Sequence, residues 1–321
     1  MKVLFLGAGV IGTTYAWQLA TAGHDVTLLV RPGTREKFER EGVRIRCKDE
    51  RQKPATTTDV TFQPKVVDEL RLDDGYELII VSVRAHQLDT VLPMLAAGAG
   101  QADVLFFGNN WWGDERMRQH LPADRYFFGF SRLVGGWRTG NQVDCIIFST
   151  PGLETMLGEK YGQPTARLQN LVEVFKQAKL KPATSPYILG WLAVHYVEFL
   201  GAIGGIRKAG SVKAFAADGA IVTQAILATR EGFQVCQARG IDLRRAGSLN
   251  VRLINALPIP VTRMLVQRQY QSASIQQFFE ENIEHGMEEL RQQYADVVAE
   301  GRRLGVKMSA LEAFEPYFAQ Q

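Results

Sequence analysis

Residues 2–31, KVLFLGAGVIGTTYAWQLATAGHDVTLLVR, decide the fold. Lys2 to Leu6 is an apolar run of strand length that passes directly into Gly7-Ala8-Gly9-Val10-Ile11-Gly12. Ile11, Tyr15, Leu19 and Ala22 then recur at three- and four-residue spacing, the period of one helix face. Gly23 stands where a helix C-terminus favours a left-handed residue, and Val26 to Val30 reads as a second strand. The stretch is one βαβ unit.

The glycine spacing has a physical reason. Gly7 permits the tight turn, Gly9 lets backbone amides approach a diphosphate, and Gly12 lets the helix pack closely on the strand. A diphosphate would rest on the helix N-terminus, where amides and dipole both favour an anion. The six residues Gly7, Ala8, Gly9, Val10, Ile11 and Gly12 are therefore candidate cofactor ligands. A site for NAD places a carboxylate at the end of the second strand; this chain has Val30-Arg31-Pro32-Gly33 there. A guanidinium grips a 2′-phosphate that a carboxylate would repel, so Arg31 points to NADP(H). The other role open to Arg31 is a solvated surface turn.

With 321 residues and 46% hydrophobic composition, the chain can build two cores. Its net charge of +3 is concentrated. Residues 31–53 hold nine basic and five acidic side chains, and the remainder is nearly balanced, which excludes a broad nucleic-acid-binding face. Cys47, Cys145 and Cys236 form no C-x-x-C pair and suit reduced thiols in a cytoplasmic protein. Tyr187 to Ile206 has the length of a bilayer span, but it contains His195, Glu198 and four glycines and has no flanking charge pattern, so a buried helix of a second domain is expected and no membrane.

Further along, Glu77–Val83 and Asp103–Phe107 read as buried strands of a sheet covered on both faces. Ligands of an open α/β sheet bind outside the carboxyl ends of its strands, which places Arg84 and Asn110 on the cofactor side. Tyr126–Leu133 and Gln142–Ser149 look like a strand pair joined through Gly135-Gly136 and Gly140-Asn141. A helix from about Pro164 to Lys179 follows. After Lys181–Pro186 the pattern is helical throughout, which sets the expected domains at 1–185 and 186–321. The fold class is α/β: an N-terminal Rossmann-like dinucleotide-binding domain, then an all-helical domain for substrate or dimerisation.

The order of these features resembles the ketopantoate reductase (2-dehydropantoate 2-reductase) family. The resemblance rests on the glycine motif with Arg31, on Val81–Gln87, on Asn109-Asn110-Trp111-Trp112-Gly113 and on Leu157-Gly158-Glu159, then on Trp191–His195 and Gly301–Val306. It implies a Rossmann domain and a helical domain with the active site between them, reduction of a 2-oxo acid, and a carboxylate substrate; a homodimer is compatible with it. The family's catalytic lysine precedes a Leu-Ala-Val-Asn run, and here that position is Trp191. The asparagine ending the run is His195, the next one a turn later is Phe199, and a frequent lysine is Arg84. The carboxylate-binding serine corresponds to Ser272 or Ser274, and the later glutamate to Glu289.

An indole cannot deliver a proton, so ketopantoate reduction as the family performs it does not follow. A histidine titrates near neutrality and can replace the lysine as acid, which makes His195 the candidate proton donor; it can equally be a satisfied buried histidine. Arg84 and Asn110 are candidates for the substrate and the cofactor, Trp191 for an apolar substrate wall together with Phe199, Trp111 and Trp112. A cleft lined in that way would favour a bulkier, more apolar substrate. Asp73-Asp74 and Asp114-Glu115 read as solvated turns or helix starts without partners. The five histidines lie far apart with no H-E-x-x-H, so no metal is expected. A dehydrogenase acting on an imine or secondary alcohol, or an NADP(H)-binding protein without catalysis, fits the same residues.

Overall fold

The computed structural model describes residues 1–247 and 249–319, without the side chains at 249, 250, 273, 274, 277, 278, 281, 282 and 284. The chain divides into two compact units, Met1–Leu189 and Gly190–Gln321.

The N-terminal unit opens with β1 (Lys2–Leu6), α1 (Val10–Thr21) and β2 (Asp25–Leu29). Next come α2 (Arg35–Glu41), β3 (Val43–Asp49), β4 (Thr56–Phe62), β5 (Lys65–Val67), β6 (Leu78–Val81) and α3 (Leu88–Gly98). It continues with β7 (Asp103–Phe107), α4 (Glu115–Arg118), β8 (Tyr126–Ser131), β9 (Val134–Thr139) and β10 (Gln142–Ile147), then β11 (Thr155–Gly158), α5 (Ala166–Gln177) and β12 (Pro182–Thr184). Eight strands form the main sheet in the order β12-β11-β8-β7-β6-β1-β2-β5, parallel except where β11 meets β8. Strand order reverses at β1, which lies between β2 and β6; this is where a doubly wound sheet opens its ligand crevice.

Helix α1 is held on the sheet by Tyr15. Its ring meets Phe107 edge-on at 4.9 Å, and its hydroxyl bonds Ser131 at 2.9 Å and Thr155 at 2.5 Å. At the far side, Arg167 grips the buried Glu159 carboxylate with two bonds of 2.7 and 2.6 Å and reaches Asp103 at 3.1 Å, so Leu157-Gly158-Glu159 ties β11, α5 and β7 together.

The second sheet, β4-β3-β10-β9, departs from the sequence reading. The expected pair of Tyr126–Leu133 with Gln142–Ser149 does not form: β8 pairs with β7 and β11, whereas β10 pairs with β9 and β3. The reason is that Gly135-Gly136 is strand and not loop. A side chain at Gly136 would lie 2.1 Å from the Asp144 carbonyl, so glycine there allows β9 to approach β10. Part of the local basic excess is paired on this sheet, where Asp59 of β4 takes Arg44 at 2.8 Å and Arg46 at 3.8 Å. Cys47 and Cys145 are register partners on β3 and β10, and all three cysteines are free and buried.

The C-terminal unit is helical. It contains α6 (Ile188–Glu198, opening at the boundary), α7 (Leu200–Ala209), α8 (Val212–Ala217), α9 (Gly219–Ala238), α10 (Leu243–Ala246) and α11 (Leu249–Ala256). After these come α12 (Ile259–Tyr270), α13 (Ala273–Arg303), α14 (Ser309–Glu312) and α15 (Glu315–Phe318). Among the described residues one stretch, Ile188–Ala209, is long and apolar enough to cross a membrane, and 83% of its most apolar window is buried in the protein. Gly201 and Gly205 within it are explained by close packing. A Cβ at Gly201 would lie 2.2 Å from the Ala225 carbonyl on α9, and one at Gly205 would lie 2.6 Å from the Phe215 ring. Helices α7 and α9 therefore pack almost backbone to backbone.

Candidate functional site

In the N-terminal unit the site is built on the loop between β1 and α1. Gly7 has φ +114°, and a Cβ there would lie 2.8 Å from the Ser82 carbonyl. At Gly12 a Cβ would come within 2.1 Å of the Gly7 carbonyl oxygen and 2.4 Å of Ser82 Oγ. Both glycines are thus demanded by contact with the loop after β6, and Ser82 locks that contact by donating from its hydroxyl to the Gly7 carbonyl at 3.0 Å. Gly9 differs: a Cβ there would meet nothing within 4 Å. It is the N-cap of α1, no side chain caps the helix, and no acidic residue sits in its first turn. The result is an open cradle before uncapped amides, which fits a diphosphate.

Arg31 follows β2 and is exposed, with no ion pair among the described residues. Its neighbour Arg35 is engaged by Glu39 at 2.7 Å and Asp68 at 3.9 Å; the edge strand β5 brings Asp68 to this end of the sheet. Arg84, also exposed, starts the turn after β6, where its amide donates to Gln87 at 3.1 Å. Asn110 lies beyond β7 and donates to the Gly113 carbonyl at 2.8 Å. These two loops are tied together, because Arg116 of α4 bonds Asp89 at 3.0 Å and the Ala85 carbonyl at 3.3 Å.

Asp114 is the N-cap of α4, as a helix start should be, but it is neither solvated nor without partners. It is buried, accepts from the Tyr126 hydroxyl at 2.7 Å, and pairs with Lys160 and with Arg118 at 3.4 Å. Burial alone would raise its pKa, but Lys160, Tyr126 and Arg118 hold the carboxyl below the usual range. Burial and the charge of Asp114 push Tyr126 up to about 12. Trp111 is buried, whereas its neighbour Trp112 is 47% exposed.

A profile of the family described as ketopantoate reductase PanE/ApbA matches residues 3–145. That segment, under half of the chain, is similar in sequence to the ketopantoate reductase family. Beyond it, the whole chain shares the ketopantoate reductase fold. The 2-dehydropantoate 2-reductase of Geobacter metallireducens GS-15 superposes with a TM-score of 0.71 at 16% identity, covering 99% of each chain. A D-mandelate dehydrogenase, solved with NADH and anilino(oxo)acetate, gives 0.73 at 15% identity over 99% of this chain and 97% of that one. Among curated proteins, the uncharacterized oxidoreductase YkpB of Bacillus subtilis (strain 168) is 23% identical over 59% of this chain and 58% of its own length. The chain spans little more than half of that relative.

In the C-terminal unit, Trp191, His195 and Phe199, which the resemblance sets at the family's lysine and asparagine positions, share one helix face. Trp191 and His195 stack with ring centroids 5.1 Å apart and planes at 9°, and the Phe199 ring meets His195 edge-on at 5.6 Å. Spacing of four residues on α6 imposes this. His195 Nδ1 lies 3.4 Å from Glu198 Oε2, long for a hydrogen bond, and both side chains are largely buried. Glu198 also lines a small cavity with Phe199, Thr229, Gln269 and Tyr270. Burial first, and then the Glu198 charge, pushes the Tyr270 hydroxyl up.

The other family-derived candidates belong to α13 or its N-cap. Glu289 of α13 is half-buried, and its charge acts on Tyr196, whose hydroxyl bonds Asp296 at 2.7 Å. Ser272 is exposed and caps α13 without a side-chain bond. Ser274 lies outside the described side chains. Sequence reasoning passed over Ser82 as a lock, and also Arg138, whose place depends on the second sheet.

Proposed function

We propose that this chain is an NADP(H)-dependent oxidoreductase that interconverts a 2-oxo acid and a 2-hydroxy acid. The observation that carries the reading is the open cradle at Gly9 before the uncapped start of α1. Arg31, at the end of β2 and without an ion pair among the described residues, supports NADP(H) over NAD(H). The nicotinamide supplies the hydride, so that 2-oxo acid, hydride and one proton give the 2-hydroxy acid. Arg84 and Asn110 bind carboxylate or cofactor, and His195 delivers the proton. Its stack with Trp191 and edge contact with Phe199 favour a substrate with an aromatic or bulky apolar group. The likeness to a D-mandelate dehydrogenase solved with anilino(oxo)acetate supports the same substrate class.

Replacing Arg31 by Asp turns a charge-assisted contact into a repulsive one. NADPH affinity should fall at least about tenfold more than NADH affinity, read by titration of the purified chain. Equal losses would remove NADP(H) preference from the proposal.

Ketopantoate itself should be a poor substrate. Trp191 holds the position of the family lysine, and a missing positioned acid slows a reaction by about a hundredfold to ten-thousandfold. Steady-state turnover of ketopantoate beside a panel of aromatic 2-oxo acids checks this. Ketopantoate reduced faster than every aromatic 2-oxo acid would sink the substrate reading.

A further inference from the structure

Arg138 is a partly buried cation of the N-terminal unit with no carboxylate partner among the described residues. It lies on β9, whose sheet packs against α1, and its Nη1 donates to the carbonyl of Ala8 inside the glycine motif. Nε donates to the Gly140 carbonyl at 3.0 Å, and the guanidinium lies over the Phe38 ring at 5.3 Å. Phe38 belongs to α2, the helix that opens four residues after Arg31. Arg138 thus bridges the glycine loop and the segment following β2, the two stretches that flank the adenosine ribose in a dinucleotide fold.

Its surroundings lack a counter-charge. Among the described residues no carboxylate pairs with Arg138, and Nη2 has no protein partner. Other basic side chains of this unit do have carboxylates: Arg35 has Glu39, Arg44 has Asp59, and Arg51 has Asp49 at 2.8 Å. Burial lowers the Arg138 pKa with nothing to offset it. A partly buried guanidinium held by two carbonyls and a ring is costly unless an anion completes it. The carbonyls and the ring fix its position; they do not neutralise it.

We infer that Arg138 is a specificity-determining ligand of the phosphate on the adenosine ribose, acting with Arg31 as the second cation of that subsite. The inference rests on the NADP(H) reading above. It adds a residue from a separate sheet, more than a hundred positions away in sequence, and it makes the placement of β9 part of cofactor choice.

The test uses the full chain and calorimetric titration with NADPH, NADH, adenosine 2′,5′-bisphosphate and adenosine 5′-monophosphate, with melting temperature measured on every variant. Arg138→Gln should weaken NADPH and the bisphosphate about tenfold to a hundredfold and change NADH and the monophosphate by less than about threefold. Arg138→Lys should recover part of the loss, since it keeps the charge and forfeits the planar fork. If the wild type binds NADPH and NADH equally, the underlying reading falls and this assignment falls with it. If the wild type prefers NADPH but Arg138→Gln weakens both dinucleotides equally, or weakens neither, the NADP(H) reading stands and the assignment is wrong. A uniform loss that tracks a lowered melting temperature in both variants would make Arg138 a structural clasp, which also overturns it.

Discussion

Gly12→Ala should abolish dinucleotide binding and destabilise the N-terminal unit, whereas Gly9→Ala should weaken binding and leave stability almost unchanged. The new methyl at residue 12 would sit 2.1 Å from the Gly7 carbonyl oxygen and 2.4 Å from Ser82 Oγ. The first is backbone in a turn with φ +114°, and the second is held by its bond to that same carbonyl. Neither can yield without moving α1 off β1 or opening the loop, and either movement disperses the amides that would face a diphosphate. Overpacking of this kind costs about 1–3 kcal/mol or more, which lowers the melting temperature of a unit this size by several degrees. At residue 9 a methyl meets nothing within 4 Å, so it occupies only the space reserved for the ligand. Titration with NADPH and thermal melting of both variants provide the check. Undiminished NADPH binding by Gly9→Ala would mean that the open space at Gly9 is not the cradle.

The contrast between these glycines separates local signals in the sequence from tertiary ones. β1, α1 and β2 lie within thirty residues, and their apolar runs and helical period are local; the buried strand at Asp103–Phe107 has the bounds the sequence suggests. The second sheet is only half visible in the sequence. Its strand β4, Thr56–Phe62, is polar and largely exposed, so it carries no apolar alternation to betray it, and β3 finds its parallel partner β10 a hundred residues later. Reading Gly135-Gly136 as a loop follows from composition, and the close approach of Asp144 that requires Gly136 is a tertiary fact. Arg138 is hidden for the same reason. Its neighbours Ala8 and Phe38 come from elements that only the completed sheet brings to it. By contrast, the shared face of Trp191, His195 and Phe199 follows from spacing alone, because four residues are about one helical turn. Where Glu289 stands, beside Tyr196, could not be read from motif order.

His195→Asn should lower kcat for the 2-oxo acid by about a hundredfold or more while changing the melting temperature little. Asparagine keeps hydrogen-bonding capacity and approximate size near Glu198 but cannot titrate. The geometry gives the imidazole a defined pose: stacked on Trp191 at 5.1 Å, bounded by the Phe199 edge at 5.6 Å, and with Nδ1 3.4 Å from Glu198 Oε2. A carboxylate on that side can accept from a proton on Nδ1, and proton delivery would then run through Nε2. The same arrangement also suits a histidine whose role is to fill an aromatic stack, and that role makes a different forecast. A stacking residue lost to asparagine should cost about 1 kcal/mol or more of stability and should lower activity only as far as the folded population falls. Measuring kcat, NADPH affinity and melting temperature on one preparation separates the two. An acid predicts a slow, stable variant that binds cofactor normally and has lost the neutral-range pH dependence of kcat. A variant that retains its rate, or slows only in step with unfolding, would leave His195 a packing residue and the proton donor elsewhere.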